Sequence, residues 1–166
     1  NKEKPNDNII EYLESFREKL EGRREVKKGT INWWQLQWSR DKKIFTEPKI
    51  VSRQRNTKNA FALVMDEFYA SADVYYISSK DTSLNIYYIL GYLNSDLFLR
   101  WFKINGKYKG EYLELYSTPL KEVPIIYEYD ENKMNYIVDL IQRQIDNYDE
   151  KVQNVINDFF NNKLNL

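Results

Sequence analysis

Residues 86–124 read IYYILGYLNSDLFLRWFKINGKYKGEYLELYSTPLKEVP, and the order of parts in this stretch sets the fold class. Ile86, Ile89, Leu90, Leu93 and Leu97 recur at helical spacing, as on the buried face of a helix. Asn94-Ser95-Asp96 interrupts that run. Ser95 is suited to cap a second short helix carrying Leu97, Phe98, Trp101 and Phe102, because its hydroxyl can accept from an otherwise unpaired first-turn N–H. A basic, glycine-bearing loop follows, with Lys103, Asn105, Gly106, Lys107, Lys109 and Gly110. A strand is predicted over Tyr112–Tyr116, and Leu120-x-x-Val123-Pro124-Ile125 closes the stretch in a turn.

Upstream, Thr46-Glu47-Pro48 marks a turn. Lys49–Arg53 alternates as a strand does, with Ile50 and Ser52 on one side and Lys49, Val51 and Arg53 on the other. The polar, basic run Arg53-Gln54-Arg55-Asn56-Thr57-Lys58-Asn59 separates it from a second strand, Phe61–Asp66, as in a hairpin with a basic tip. Asp73–Ser78 supplies a third strand. The expected class is α+β: one small, curved, mostly antiparallel sheet of these three strands and Tyr112–Tyr116, covered on one face by helices.

The ends of the chain are helical in pattern. Ile9, Tyr12, Leu13, Phe16 and Leu20 share one face of a helix over residues 8–21, expected to pack on the core, with Asp7 or Asn8 to start it and Gly22 just past its end. Met134, Ile137, Ile141, Ile145, Tyr148, Val152, Val155 and Phe159 form a near-heptad seam of one long C-terminal amphipathic helix. Asp130 or Asn132 can start it. That seam packs on its own domain or pairs with a partner helix. Between these ends lies Ile31–Trp38, with three tryptophans in eight residues; its periodicity fits strand and helix equally. Core packing and base stacking are both open to the tryptophans, with Trp33 the best placed for exposure.

Composition narrows the chemistry. The 166 residues include no Cys and no His, which removes thiol nucleophiles, thiolate metal sites and the commonest general base. No apolar run reaches membrane-spanning length and no signal peptide is visible. The polar start NKEKPNDN reads as a linker from a longer protein. The net charge is zero, but it is unevenly spread. Residues 23–58 carry eleven basic side chains against three acidic ones, residues 100–110 four against none, and residues 127–166 four against eight. A basic half opposed to an acidic end is the pattern of a polyanion-binding face.

These parts in this order resemble a known family. The helix ending in Leu93-Asn94-Ser95, the short second helix, the basic glycine loop, the strand and the Leu-x-x-Val-Pro-Ile close are similar to the TaqI-like C-terminal specificity domain of restriction-modification enzymes. Type I specificity subunits show a related plan, with a long helix after the final turn. Trp33-Trp34, Arg40, Phe45 and Pro48-Lys49-Ile50-Val51 followed by Arg53 and Arg55 resemble that family's aromatic start and its "KI" strand. The resemblance runs from Ile31 to Ile125. It implies target recognition on double-stranded DNA, inside a parent protein that is an adenine methyltransferase or a restriction enzyme of the bacterial cytoplasm. It also implies an upstream methyltransferase or nuclease domain that uses S-adenosylmethionine and Mg²⁺. The chain itself carries neither an Asn/Asp-Pro-Pro-Tyr/Phe motif nor a glycine-rich phosphate loop, and is expected to bind no cofactor and to be non-catalytic. Asp66-Glu67 stands without a third acid at metal-site spacing.

The candidate DNA-binding residues are Arg40, Lys49, Arg53, Gln54, Arg55, Asn56, Lys58, Asn105, Lys107 and Lys109. Arginine forks suit guanine and carboxamides suit adenine; lysines on flexible positions suit phosphate. Arg40 and Lys49 can equally be structural. The expected division is an N-terminal helix or linker (1–24), a recognition domain (25–126) and the C-terminal helix (127–166). The competing reading is a protein-interaction or assembly module acting through the C-terminal seam. It involves no membrane.

Overall fold

The computed structural model describes residues 4–37, 40–78 and 83–163. By contacts the chain divides into two compact units, 1–41 and 42–166.

The first unit begins with α1 (Asp7–Glu14), capped by Asn6, whose side chain accepts from the Ile9 N–H. The expected continuous helix is broken. The Ser15 hydroxyl donates to the Tyr12 carbonyl, and Phe16 leaves helical geometry before α2 (Arg17–Glu21) and α3 (Arg24–Lys27). None of these helices buries a residue within the described structure, and Ile9, Tyr12 and Phe16 are exposed. Two arginines tie the helices to the tryptophan segment. The Arg17 guanidinium lies 4.7 Å from the centre of the Trp33 ring, and Arg23 donates to the Trp33 carbonyl. Trp33 and Trp34 are half-buried in neither strand nor helix, and Trp38 lies outside the described residues.

The second unit is built around α5 (Ile86–Leu93). Its N-cap Asn85 accepts from the Tyr87 and Tyr88 N–H groups, and every residue from Tyr88 to Leu93 is buried. Two buried phenols are satisfied by carbonyls of the closing turn, Tyr88 by Ile126 and Tyr92 by Pro124, both at 2.6 Å. At Gly91 another helix packs closely, since a Cβ there would lie 2.3 Å from Ile141 Cδ1. As its spacing predicts, Ser95 caps α6 (Asp96–Asn105) by accepting from the Phe98 N–H.

The strands are β1 (Lys49–Arg53), β2 (Arg55–Asn56), β3 (Phe61–Val64), β4 (Val74–Ile77), β5 (Tyr108–Lys109) and β6 (Tyr112–Glu114). The class is α+β, but the strands form two small antiparallel sheets rather than one, in the orders β3-β1-β4 and β2-β6-β5. Gln54 is the pivot. Its N–H donates to the Asp73 carbonyl on the first sheet's side, and its carbonyl accepts from the Leu115 N–H on the second's. One continuous stretch, 49–56, therefore serves both sheets. Two short helices, α4 (Lys43–Thr46) and α7 (Ser117–Lys121), flank the strands in sequence.

The Leu-Asn-Ser corner joins helix to sheet. Asn94 pairs with the backbone of Phe61 in both directions, accepting from its N–H and donating to its carbonyl, each at 2.9 Å. Asn59 answers from the other side, donating to the Leu93 and Ser95 carbonyls at the end of α5.

At the C-terminus the expected helix is present but divided into α8 (Glu131–Asp146), capped by Asp130, and α9 (Glu150–Asn162), capped by Asp149. The break at Asn147–Asp149 lets α8 pack on α5 and α9 pack on α6. Phe160 then reaches the Tyr88 and Tyr92 rings at 5.2 and 5.4 Å. An unbroken helix, rising about 1.5 Å per residue, would carry these residues past the core. The seam is accordingly reset: Ile137 and Ile141 are buried, Ile145 and Val155 are exposed, and Ile156 and Phe160 take over. Glu128 and Lys163 form an ion pair that is about nine-tenths buried, joining the segment before α8 to the end of α9. No described helix is long and apolar enough to cross a membrane.

Candidate nucleic-acid interface

The sheet β2-β6-β5 brings together two basic segments more than forty residues apart. β2 pairs with β6 through Arg55↔Glu114 and Asn56↔Leu113, and β5 pairs with β6 through Tyr108↔Leu113 and Lys109↔Tyr112. Directly paired residues share a face and alternate residues change it. Asn56, Leu113 and Tyr108 therefore face one way, and Leu113 is buried. Arg55, Glu114, Tyr112 and Lys109 face the other. Gly110, at φ +62°, makes the tight turn between β5 and β6, which a side chain would strain.

On the outward face the Arg55 guanidinium is held on one edge. Its Nε donates to Glu114 Oε1 at 3.3 Å, and its Nη2 donates to the Tyr116 hydroxyl at 3.1 Å. The Tyr116 hydroxyl in turn donates to the same Glu114 oxygen at 3.0 Å, closing a triangle. Tyr116 first and Glu114 second push the pKa of the guanidinium up. The Tyr75 ring meets the Tyr116 ring edge-on at 6.3 Å and supports it.

The other expected residues divide by what holds them. Arg53, at the end of β1, and Lys58, Lys107 and Lys109 are exposed. Gln54 and Asn56 are half-buried at the pivot, with the Asn56 carboxamide 3.5 Å from the Ser52 hydroxyl. Asn105 donates to the Trp101 carbonyl of its own helix. Arg40 is exposed in the first unit. Lys49 is fully buried, its ammonium donating to the Phe45, Glu47 and Asp66 carbonyls at 2.7, 2.9 and 2.6 Å. That geometry fits the structural alternative and leaves no route to a phosphate. Glu114 and Tyr116 were outside the residues expected from sequence. The signal for them is the alternation Tyr112, Glu114, Tyr116 along the predicted strand, which marks one face with an acid between two phenols. Among the described residues no three His, Cys, Asp or Glu side chains cluster as metal ligands would.

The profile of the TaqI-like C-terminal specificity domain matches residues 11–125, well over half of the sequence. The chain belongs to this family. The match begins about twenty residues before the resemblance read from motifs, and so takes in half of α1 and all of α2 and α3. Among curated proteins this specificity domain is similar to the type II methyltransferase M.MjaIV of Methanocaldococcus jannaschii, at 29% identity over 170 aligned positions. That alignment covers 93% of this chain and 56% of the relative. M.HincII of Haemophilus influenzae, also a type II methyltransferase, is 35% identical over 86 residues, which is 51% of this chain and 17% of that protein. The specificity domain thus spans little more than half of one relative and a sixth of the other.

Proposed function

We propose that this chain reads the DNA target of a restriction-modification methyltransferase and is itself the non-catalytic part of that protein. The observation that carries the reading is the β2-β6-β5 sheet, which gathers Arg55, Lys107 and Lys109 from two distant basic segments beside a turn. Lysines on exposed loop and turn positions supply sequence-independent phosphate attraction. The forked arginine and the carboxamides nearby supply base contacts. S-adenosylmethionine and Mg²⁺ would be used by the methyltransferase or nuclease part of such a parent. A bacterial or archaeal cytoplasm, where such a parent meets DNA, is the implied setting. Of the seam behind the competing assembly-module reading, Ile137 and Ile141 are buried within the chain and Met134, Val152 and Phe159 pack against its core, while Ile145, Tyr148 and Val155 are exposed.

The test is a titration of the chain, alone and within its parent, with random-sequence duplex over a range of salt. If about five phosphates are neutralised, log affinity falls against log salt with a slope of about −4.5. Affinity at physiological salt is expected at about 10⁻⁴ to 10⁻⁶ M. Binding indifferent to salt, or absent at low salt in both forms, rejects the reading.

A further inference from the structure

The triangle Arg55–Glu114–Tyr116 has a consequence for specificity. A guanidinium has two hydrogen-bonding edges of use: a side edge formed by Nε and one Nη, and an end formed by the two Nη groups. Glu114 and Tyr116 occupy the side edge through Nε and Nη2. The end edge, with two parallel N–H groups, remains for a ligand, and Arg55 stays 43% exposed while Glu114 is 14% exposed beneath it. A free arginine on a strand end samples many rotamers and loses that freedom on binding. One clamped by a half-buried acid and a ring-supported phenol has already lost it. Two parallel donors at fixed spacing match O6 and N7 of guanine in the major groove.

We infer that Glu114 and Tyr116 are positioning residues that present the end-on fork of Arg55 to a guanine, making Arg55 a specificity-determining contact at one base pair. The inference rests on the proposed DNA-reading role. An acid on a DNA-facing sheet repels every phosphate, so Glu114 weakens non-specific binding. Its contribution is discrimination, and removing it therefore moves two observables in opposite directions. Removing a residue that only supports the fold lowers both, and removing an acid that only contributes charge raises random-duplex affinity and leaves the preference unchanged.

The experiment uses the full parent protein and a pool of duplexes with a randomised core, from which base preferences and random-duplex affinity are both measured. The natural protein should show a guanine preference of about 5- to 150-fold at one position, the range of a bidentate pair. Glu114→Ala should cut that preference to within about threefold while raising random-duplex affinity about twofold or more. Tyr116→Phe should shift the preference in the same direction by less. Arg55→Lys keeps the charge but not the fork, and should abolish the guanine preference with random-duplex affinity nearly kept. This variant decides the matter if Glu114→Ala fails to fold. Glu111→Ala, at the exposed tip beside Gly110, should raise random affinity with base preference intact, isolating the effect of charge. No binding by the natural protein overturns the DNA-reading role and this inference with it. Binding whose base preferences survive both Glu114→Ala and Arg55→Lys overturns this inference alone.

Discussion

Lys49 and Lys109 each stand in a short antiparallel strand of basic sequence, and they have opposite fates. Lys49 is wholly buried in the β3-β1-β4 sheet, with three carbonyls around its ammonium. Lys109 is exposed in the β2-β6-β5 sheet, at the mouth of a glycine turn. The same division runs through the other polar residues. Asn59, Asn94, Ser95 and Glu128 are bound to backbone or to an opposite charge, while Lys58 and Lys107 face solvent. What separates the groups is whether carbonyls and N–H groups left open by the fold lie within reach. A buried carbonyl without a donor costs about 1–3 kcal/mol, so evolution of a stable core recruits the nearest side chain that can donate. A lysine on a turn meets no such demand and keeps its charge for a ligand.

This contrast can be broken by exchanging which lysine is removed. The largest expected effect is that of Lys49→Met, which keeps the packed stem and leaves the Phe45, Glu47 and Asp66 carbonyls without their shared donor. It should cost about 3 kcal/mol of stability, read by chemical denaturation, with the salt slope of DNA binding unchanged in the protein that remains folded. A stability loss within about 0.5 kcal/mol, the size of an ordinary surface change, would remove the distinction between the two sheets.

A smaller effect, confined to acid, sharpens the same contrast at Glu128. Burial pushes its carboxyl up, but the Lys163 ammonium and the Asp130 N–H outweigh that and hold it below the ordinary 4.5. A group whose pKa is lowered by folding stabilises the native state fully above its unfolded value, and that contribution is lost as pH falls through the folded value. The stability gap between the natural protein and Glu128→Gln should therefore be constant above about pH 4.5 and close below it. Denaturation curves between pH 3 and 7 measure it, and a gap that widens in acid contradicts the ion pair.

The smallest effect on stability is expected at Lys107 and Lys109. Each substitution by Ala should change stability by less than about 0.5 kcal/mol and lower the salt slope by about 0.9, alike on every duplex. Sequence-dependent losses would move these lysines from the phosphate backbone to a base edge.

Much of the architecture is legible in short stretches. The Ser95 cap, the Asp130 cap and the end of α5 at Leu93 depend on residues within a few positions of one another, and all three take the form their sequence suggests. The C-terminal break was also written locally, in Asp149 as a capping residue, but the apolar period runs across it and hides it. The local competition between a cap and a continuing helix is settled by where Phe160 finds the Tyr88 and Tyr92 rings.

By itself the sequence determined the caps of α6 and α8, the class, the two basic segments and the family. Their meeting in one sheet, the capture of Lys49 and the clamp on Arg55 were decided by tertiary structure alone. Pairing Arg55 with Glu114 joins positions 59 residues apart, and burial of Lys49 needs a carbonyl from Asp66 as well as two from its own turn. No periodicity along the chain records such partners. They exist only once the entropy of closing the intervening loops has been overcome by the core that α5 organises.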